Sequence, residues 1–158
     1  MPKDELVNFT YRGARSCILL HEQILRQLVE TWKQAKAAGI ALPASRTGDY
    51  DSFEALLYHV LDSARWYMVW TCEKLELPDP GIQPVPNMDN IEAEVDSYVE
   101  HLLQQYRKPL VDVRWRHFYQ PGYPVPWEVD YCIDAMLEHA VMHSMRHRFQ
   151  LLELMEQS

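Results

Sequence analysis

Three histidines stand at successive i, i+4 spacings near the C-terminus: His139, His143 and His147, within the run Glu138 to His147. On a helix, residues four apart share a face. Two imidazoles so placed can grip one metal ion, as in other helical His-x-x-x-His sites. The chain has seven histidines and three of them fall here, so metal binding is the first chemistry to consider. It leaves two questions: which two of the three bind, and where a third ligand lies. The competing reading is plainer, with histidines that merely satisfy one another in a helical core.

The elements that must position these residues read as four long amphipathic helices. The first runs from about Ala14 to Ala38, its apolar residues Ile18, Leu20, Ile24, Leu25, Leu28 and Trp32 recurring near 3.6 spacing. Gly39 ends it. A loop from Ile40 to Tyr50 follows, and Asp51 with Glu54 looks like a capping pair for a second helix reaching about Leu75. Pro78 to Pro86 forms an extended linker. Asp89 and Glu92 make a second cap-like pair, opening a third helix that runs to about Arg107 and is stopped by Pro109. Val111 to Pro126 is irregular, with Val113, Trp115 and Tyr119 alternating as in a short strand. The last helix is expected from near Trp127 to about Glu156. The pattern predicts an all-α fold, a four-helix bundle in one domain spanning residues 1–158. The first loop is short enough for an antiparallel pair. The long linker between the second and third helices permits a crossover.

On the last helix, Ile133, Met136, Ala140, His143, His147, Leu151 and Leu154 follow a 3–4 core rhythm. His143 and His147 thus replace apolar residues in the seam. A buried unpaired polar group costs a few kcal/mol, and a metal ion would satisfy both. His139 sits at the stripe's edge with Cys132, Arg146 and Gln150, where it reads as lining a cleft or supporting a ligand. On the second helix, His59, Ser63, Trp66 and Trp70 share one side at roughly 100° per residue. If the second and last helices are neighbours, His59 completes a set with His143 and His147. Three protein ligands and an open position are the arrangement of a catalytic metal. Trp66 and Trp70 would line the cleft beside it.

Other chemistry is thin. There is no Gly-rich phosphate loop and no Gly-x-Ser-x-Gly elbow. Ser144 is adjacent to His143, where helical side chains diverge. Asp62, Asp134 and Glu138 are candidate acids that solvated faces explain equally, and no general base stands out. His21, His101 and His117 lack partners at useful spacing and read as ordinary. Cys17, Cys72 and Cys132 form no Cys-x-x-Cys pair and read as small buried hydrophobes. The net charge of -8 on 158 residues argues against nucleic-acid or anionic-membrane partners. No stretch approaches the ~20 apolar residues of a membrane span. The N-terminus has no signal-peptide core, so a cytoplasmic protein is expected.

At these residues the sequence resembles the DinB-like (DinB/YfiT) superfamily of metalloenzymes. The carrying motifs are Leu57-Tyr58-His59-Val60-Leu61 with Trp66, and His139 through Gln150. The family pattern is similar to His-x-x-x-His-x-x-x-His-Arg-Gly-Gln, and this chain has Phe149 where glycine is usual. The resemblance covers nearly the whole chain in length and helix order. It implies a four-helix bundle with a crossover, often a homodimer, and a divalent metal (Zn, Ni or Fe) on His59, His143 and His147. It also implies activation of water or of a low-molecular-weight thiol such as bacillithiol or mycothiol against a small electrophilic substrate. The alternatives are a non-catalytic metal- or ligand-binding dimer and a structural dimer whose histidines satisfy each other.

Overall fold

A computed structural model describes residues 8–158. Four long helices dominate: α1 (Arg12–Ala37), α2 (Phe53–Lys74), α3 (Ile91–Tyr106) and, after a short α4 (Arg116–Tyr119), α5 (Ile133–Gln157). Two-residue strands β1 (Tyr123–Pro124) and β2 (Asp130–Tyr131) pair antiparallel before α5. The fold is all-α.

Each long helix buries the stripe its sequence announces, with one clear exception on α1. Ile18, Ile24, Leu25, Leu28 and Trp32 are buried, whereas Leu20 is half exposed. Leu20 lies two residues past Ile18, about 200° around the helix, so it faces water despite its type. The buried residues of all four helices join in one core, with Val85 and Ile82 of the linker and Phe118 of α4.

Side-chain pairs fix the helix directions. Glu22, Arg26, Lys33 and Lys36 of α1 meet Arg107, Glu100, Asp96 and Glu92 in that order, so α1 and α3 are antiparallel. Tyr11 reaches Asp134 at the start of α5, and Arg148 reaches Thr31 at 3.2 Å, so α1 and α5 are parallel. The rings of His59 and Tyr67 of α2 meet those of His147 and His139 respectively, so α2 opposes α5. It follows that α2 and α3 run parallel. Lys36 bridges Glu54 and Glu92, which brings the first turns of α2 and α3 side by side. The linker must therefore return along the 22 residues of α2, about 33 Å at ~1.5 Å per residue. It is the expected crossover. The Arg65 Nε donates to the Ile82 carbonyl at 3.0 Å, and the Tyr98 hydroxyl to the Gln83 carbonyl at 2.9 Å. Those bonds pin the linker to both helices it joins. The antiparallel α1 and α2 touch where Trp32 and Lys36 meet Phe53 and Glu54.

Four local expectations change. Ser52, not Asp51, caps α2: its Oγ accepts from the Ala55 N–H at 3.0 Å, while Asp51 accepts from the Ser45 N–H instead. Asn90 precedes α3 without a side-chain cap, and Glu92 is committed to Lys36. The last helix starts at Ile133 rather than near Trp127, because residues 123–131 form the hairpin. The alternation over Val113 to Tyr119 belongs to a turn and α4, not to a strand.

Candidate metal centre

His59 of α2 and His143 and His147 of α5 converge on one point. The His59 and His143 Nε2 atoms are 3.1 Å apart, and those of His147 and His143 are 3.3 Å apart. One ligand atom from each of the three lies within 4.8 Å of the others. Donors at ~2.05 Å on a tetrahedral ion sit about 3.3 Å from one another. Two of the three pairs thus already stand at ligand spacing, and the group can hold a metal ion.

The local causes are simple. The i, i+4 step of α5 stacks His143 and His147 on its buried seam, where both are nearly inaccessible to solvent. Antiparallel packing brings His59, half-buried on α2, against that pair. Burial holds all three neutral: it pushes His143 down to about 2 and His147 down to about 4, and it lowers His59. The neighbouring imidazoles and the Arg146 guanidinium add to the effect on His143. A neutral imidazole is the metal-binding form. The His147 Nδ1–H donates to Gln150 Oε1 at 3.0 Å, which leaves the Nε2 lone pair pointing at the centre.

One side of the centre opens on a cleft of about 460 Å³, walled by Trp66, Tyr67, Trp127 and His139. That volume suits a small molecule. Ser63 lines it, as expected from its side of α2. Arg146 and Asp62 bring opposite charges to it, and Asp62 is the one carboxylate among the described residues lining it. His139 is not part of the ligand group. Its ring stacks on Trp127 at 4.8 Å and its Nδ1 lies 3.3 Å from the Tyr131 hydroxyl, so it is cleft wall. Trp70 is buried behind the cleft, edge-on to Tyr123 at 5.9 Å, and does not line it. The hairpin covers Trp70, a cover that α2 alone does not reveal.

The sequence reading missed two groups. Tyr50, at the end of the first loop, places its hydroxyl 3.4 Å from His59 Nε2 and its ring 5.2 Å from that of His147. Trp127 reaches the cleft from the hairpin turn rather than from a helix. Neither carries a periodic signal, since loop residues obey no helical phase. Three residues read as ordinary also have specific places. His101 Nε2 accepts from the Gln83 N–H at 3.0 Å. Cys132 caps α5, its Sγ accepting from the Ala135 N–H at 3.5 Å. His21 is buried and stacks on Tyr106 at 4.5 Å, and its ring nitrogens have no partner among the described residues. Cys72 is buried as expected, and Cys17 only partly so.

Phe149 is half exposed, so it points away from the centre that its neighbours His147 and Gln150 build. No helix among the described residues is long and apolar enough to cross a membrane. No family model matches this chain, and neither a curated protein nor a solved structure is found similar to it.

Proposed function

We propose that this chain is a divalent-metal-dependent enzyme of the DinB-like type, acting on a small electrophile in the aromatic cleft. The observation that carries the reading is the convergence of three imidazoles, with the His143 Nε2 at ligand spacing from those of His59 and His147, beside an open cleft. The parallel α2 and α3, their crossover linker and the outward Phe149 support the same reading.

Three neutral imidazoles suit Zn, Ni or Fe. His59, His143 and His147 would hold the ion, and Gln150 would keep His147 in the ligating tautomer. A divalent ion bound there supplies Lewis acidity, lowering the pKa of a low-molecular-weight thiol or of water toward neutrality. The chain's own residues do the rest. Trp66 and Trp127 restrict the substrate to the cleft and exclude bulk water from its walls. Arg146 favours an anionic ligand at the mouth. The Tyr50 hydroxyl is within reach of a group held beside His59, as a donor or acceptor.

The test is metal analysis of the purified protein, followed by thiol-conjugation and hydrolysis assays with and without chelator. The reading expects one ion per chain and turnover that chelation abolishes. Absence of a stoichiometric ion would sink it. A second reading, binding of a metal or ligand without turnover, draws on the exposed position of Asp62, the one carboxylate among the described cleft residues. A bound ion with no metal-dependent turnover across a broad panel would favour it.

A further inference from the structure

The three histidines face two cavities, not one. His59 and His143 line the aromatic cleft, while His147 lines a second cavity of about 370 Å³. Tyr50 lines both and stands between them. The second cavity is built from the first loop, α2 and α5: Leu42 and Pro43 on one side, Leu56 on another, Leu151 and Leu154 on the third. Its chemistry differs from that of the cleft. No arginine, lysine or aspartate lines it, and Glu153 is its one charged residue.

We propose that this cavity is a binding subsite for an unbranched, uncharged aliphatic arm, carried by a ligand whose polar head reaches the histidine centre past Tyr50. The absence of a cation in the wall and the presence of Glu153 disfavour a free carboxylate or phosphate there. Ser45, Gln150 and Gln157 also line the cavity, but its leucines and Pro43 reward methylene groups. A 150 Å³ apolar cavity accommodates benzene, so about 370 Å³ has room for a chain of at least eight carbons. Tyr50 lines both cavities, and it separates the arm from the group that enters the aromatic cleft. The site deepens the enzymatic reading by naming one part of its ligand, and it rests on that reading only for the head group.

The experiment uses two probe series. n-Alkanethiols from ethanethiol to decanethiol are titrated into the zinc-loaded protein by calorimetry. n-Alkanols of the same lengths are titrated into the metal-free protein. Each added methylene should tighten binding about fourfold in both series, up to at least eight carbons. Leu154→Trp and Leu42→Trp, at half-buried positions, should flatten the length dependence without changing zinc affinity or ethanethiol binding. A flat length dependence in the unaltered protein in both series overturns the subsite, whatever ethanethiol does. So does a length dependence that both tryptophan variants leave intact. If ethanethiol fails to bind the zinc-loaded protein while the alkanol dependence persists and the variants abolish it, the thiol reading fails and the subsite stands.

Discussion

Gln150→Ala isolates one contact with a readable consequence. The side chain is exposed, and its Oε1 accepts from His147 Nδ1 at 3.0 Å. Its removal leaves no cavity, so the cost to folding should stay within about 0.5 kcal/mol. The cost to metal binding should be larger. Without the acceptor the imidazole loses the bond that fixes its tautomer and orients Nε2, and losses of this kind weaken affinity about 10- to 100-fold. That corresponds to about 1.4–2.7 kcal/mol. Gln150→Glu should keep the acceptor, raise the basicity of His147 and bind at least as tightly as the unaltered chain. The assay is zinc competition against a chromophoric chelator at pH 7.5, with urea unfolding of the metal-free forms alongside. If Gln150→Ala binds zinc within twofold of the unaltered protein while His143→Ala abolishes binding, the assigned role of Gln150 is wrong. If neither variant changes zinc affinity, the centre itself is wrong.

Three further outcomes are expected. His143→Ala should remove stoichiometric zinc, and with it the stabilisation that zinc gives, about 2.7 kcal/mol at a free concentration 100 times Kd; differential scanning calorimetry with and without zinc reads both. Burial depresses His21 to about 4 in the folded state, against about 6.5 unfolded. Its contribution is therefore complete above pH 6.5 and shrinks as pH falls toward 4, by about 3 kcal/mol in all. Urea midpoints across that range should fall more steeply for the unaltered chain than for His21→Phe, and equal slopes would refute the assignment. Ser52→Ala should cost about 1 kcal/mol by loss of the α2 cap, and Asp51→Ala distinctly less, both measured by urea unfolding.

What the sequence makes legible depends on whether a residue's place is set by its own helix. The seam of α5 places His143 and His147 inward by phase alone, and puts His139 on the flank, where it stacks on Trp127. Gln150 is legible for the same reason. His59 needs one further fact, the adjacency of α2 and α5, which the sequence reading states as a condition and the packing supplies. Trp70 shows the limit of this logic. Helical phase puts it beside Trp66, yet the hairpin between α4 and α5 folds over it and removes it from the cleft.

The same limit explains why Tyr50 and Trp127 escape notice. Each is delivered by a segment whose path is fixed by tertiary contacts: Ser45 and Asp51 tie the loop that carries Tyr50, and the Tyr123–Tyr131 pairing sets the turn that carries Trp127. The imidazoles of the candidate centre thus sit on rigid helices, while two of the groups that face what approaches them, Tyr50 and Trp127, sit on loops. On the proposed function, affinity for the ion would rest on α2 and α5, and part of the choice of small molecule on the first loop and the hairpin. This division implies that Tyr50→Phe and Trp127→Ala should leave zinc affinity within about threefold while altering which small molecules bind. Trp127→Ala removes the ring that stacks on His139 and so widens the aromatic cleft alone. Tyr50→Phe deletes the hydroxyl 3.4 Å from His59 Nε2 while keeping the partition between the two cavities. Paired zinc and ligand titrations of the two variants would therefore separate wall from ligand, and a loss of zinc in either would show that the loops belong to the metal centre after all.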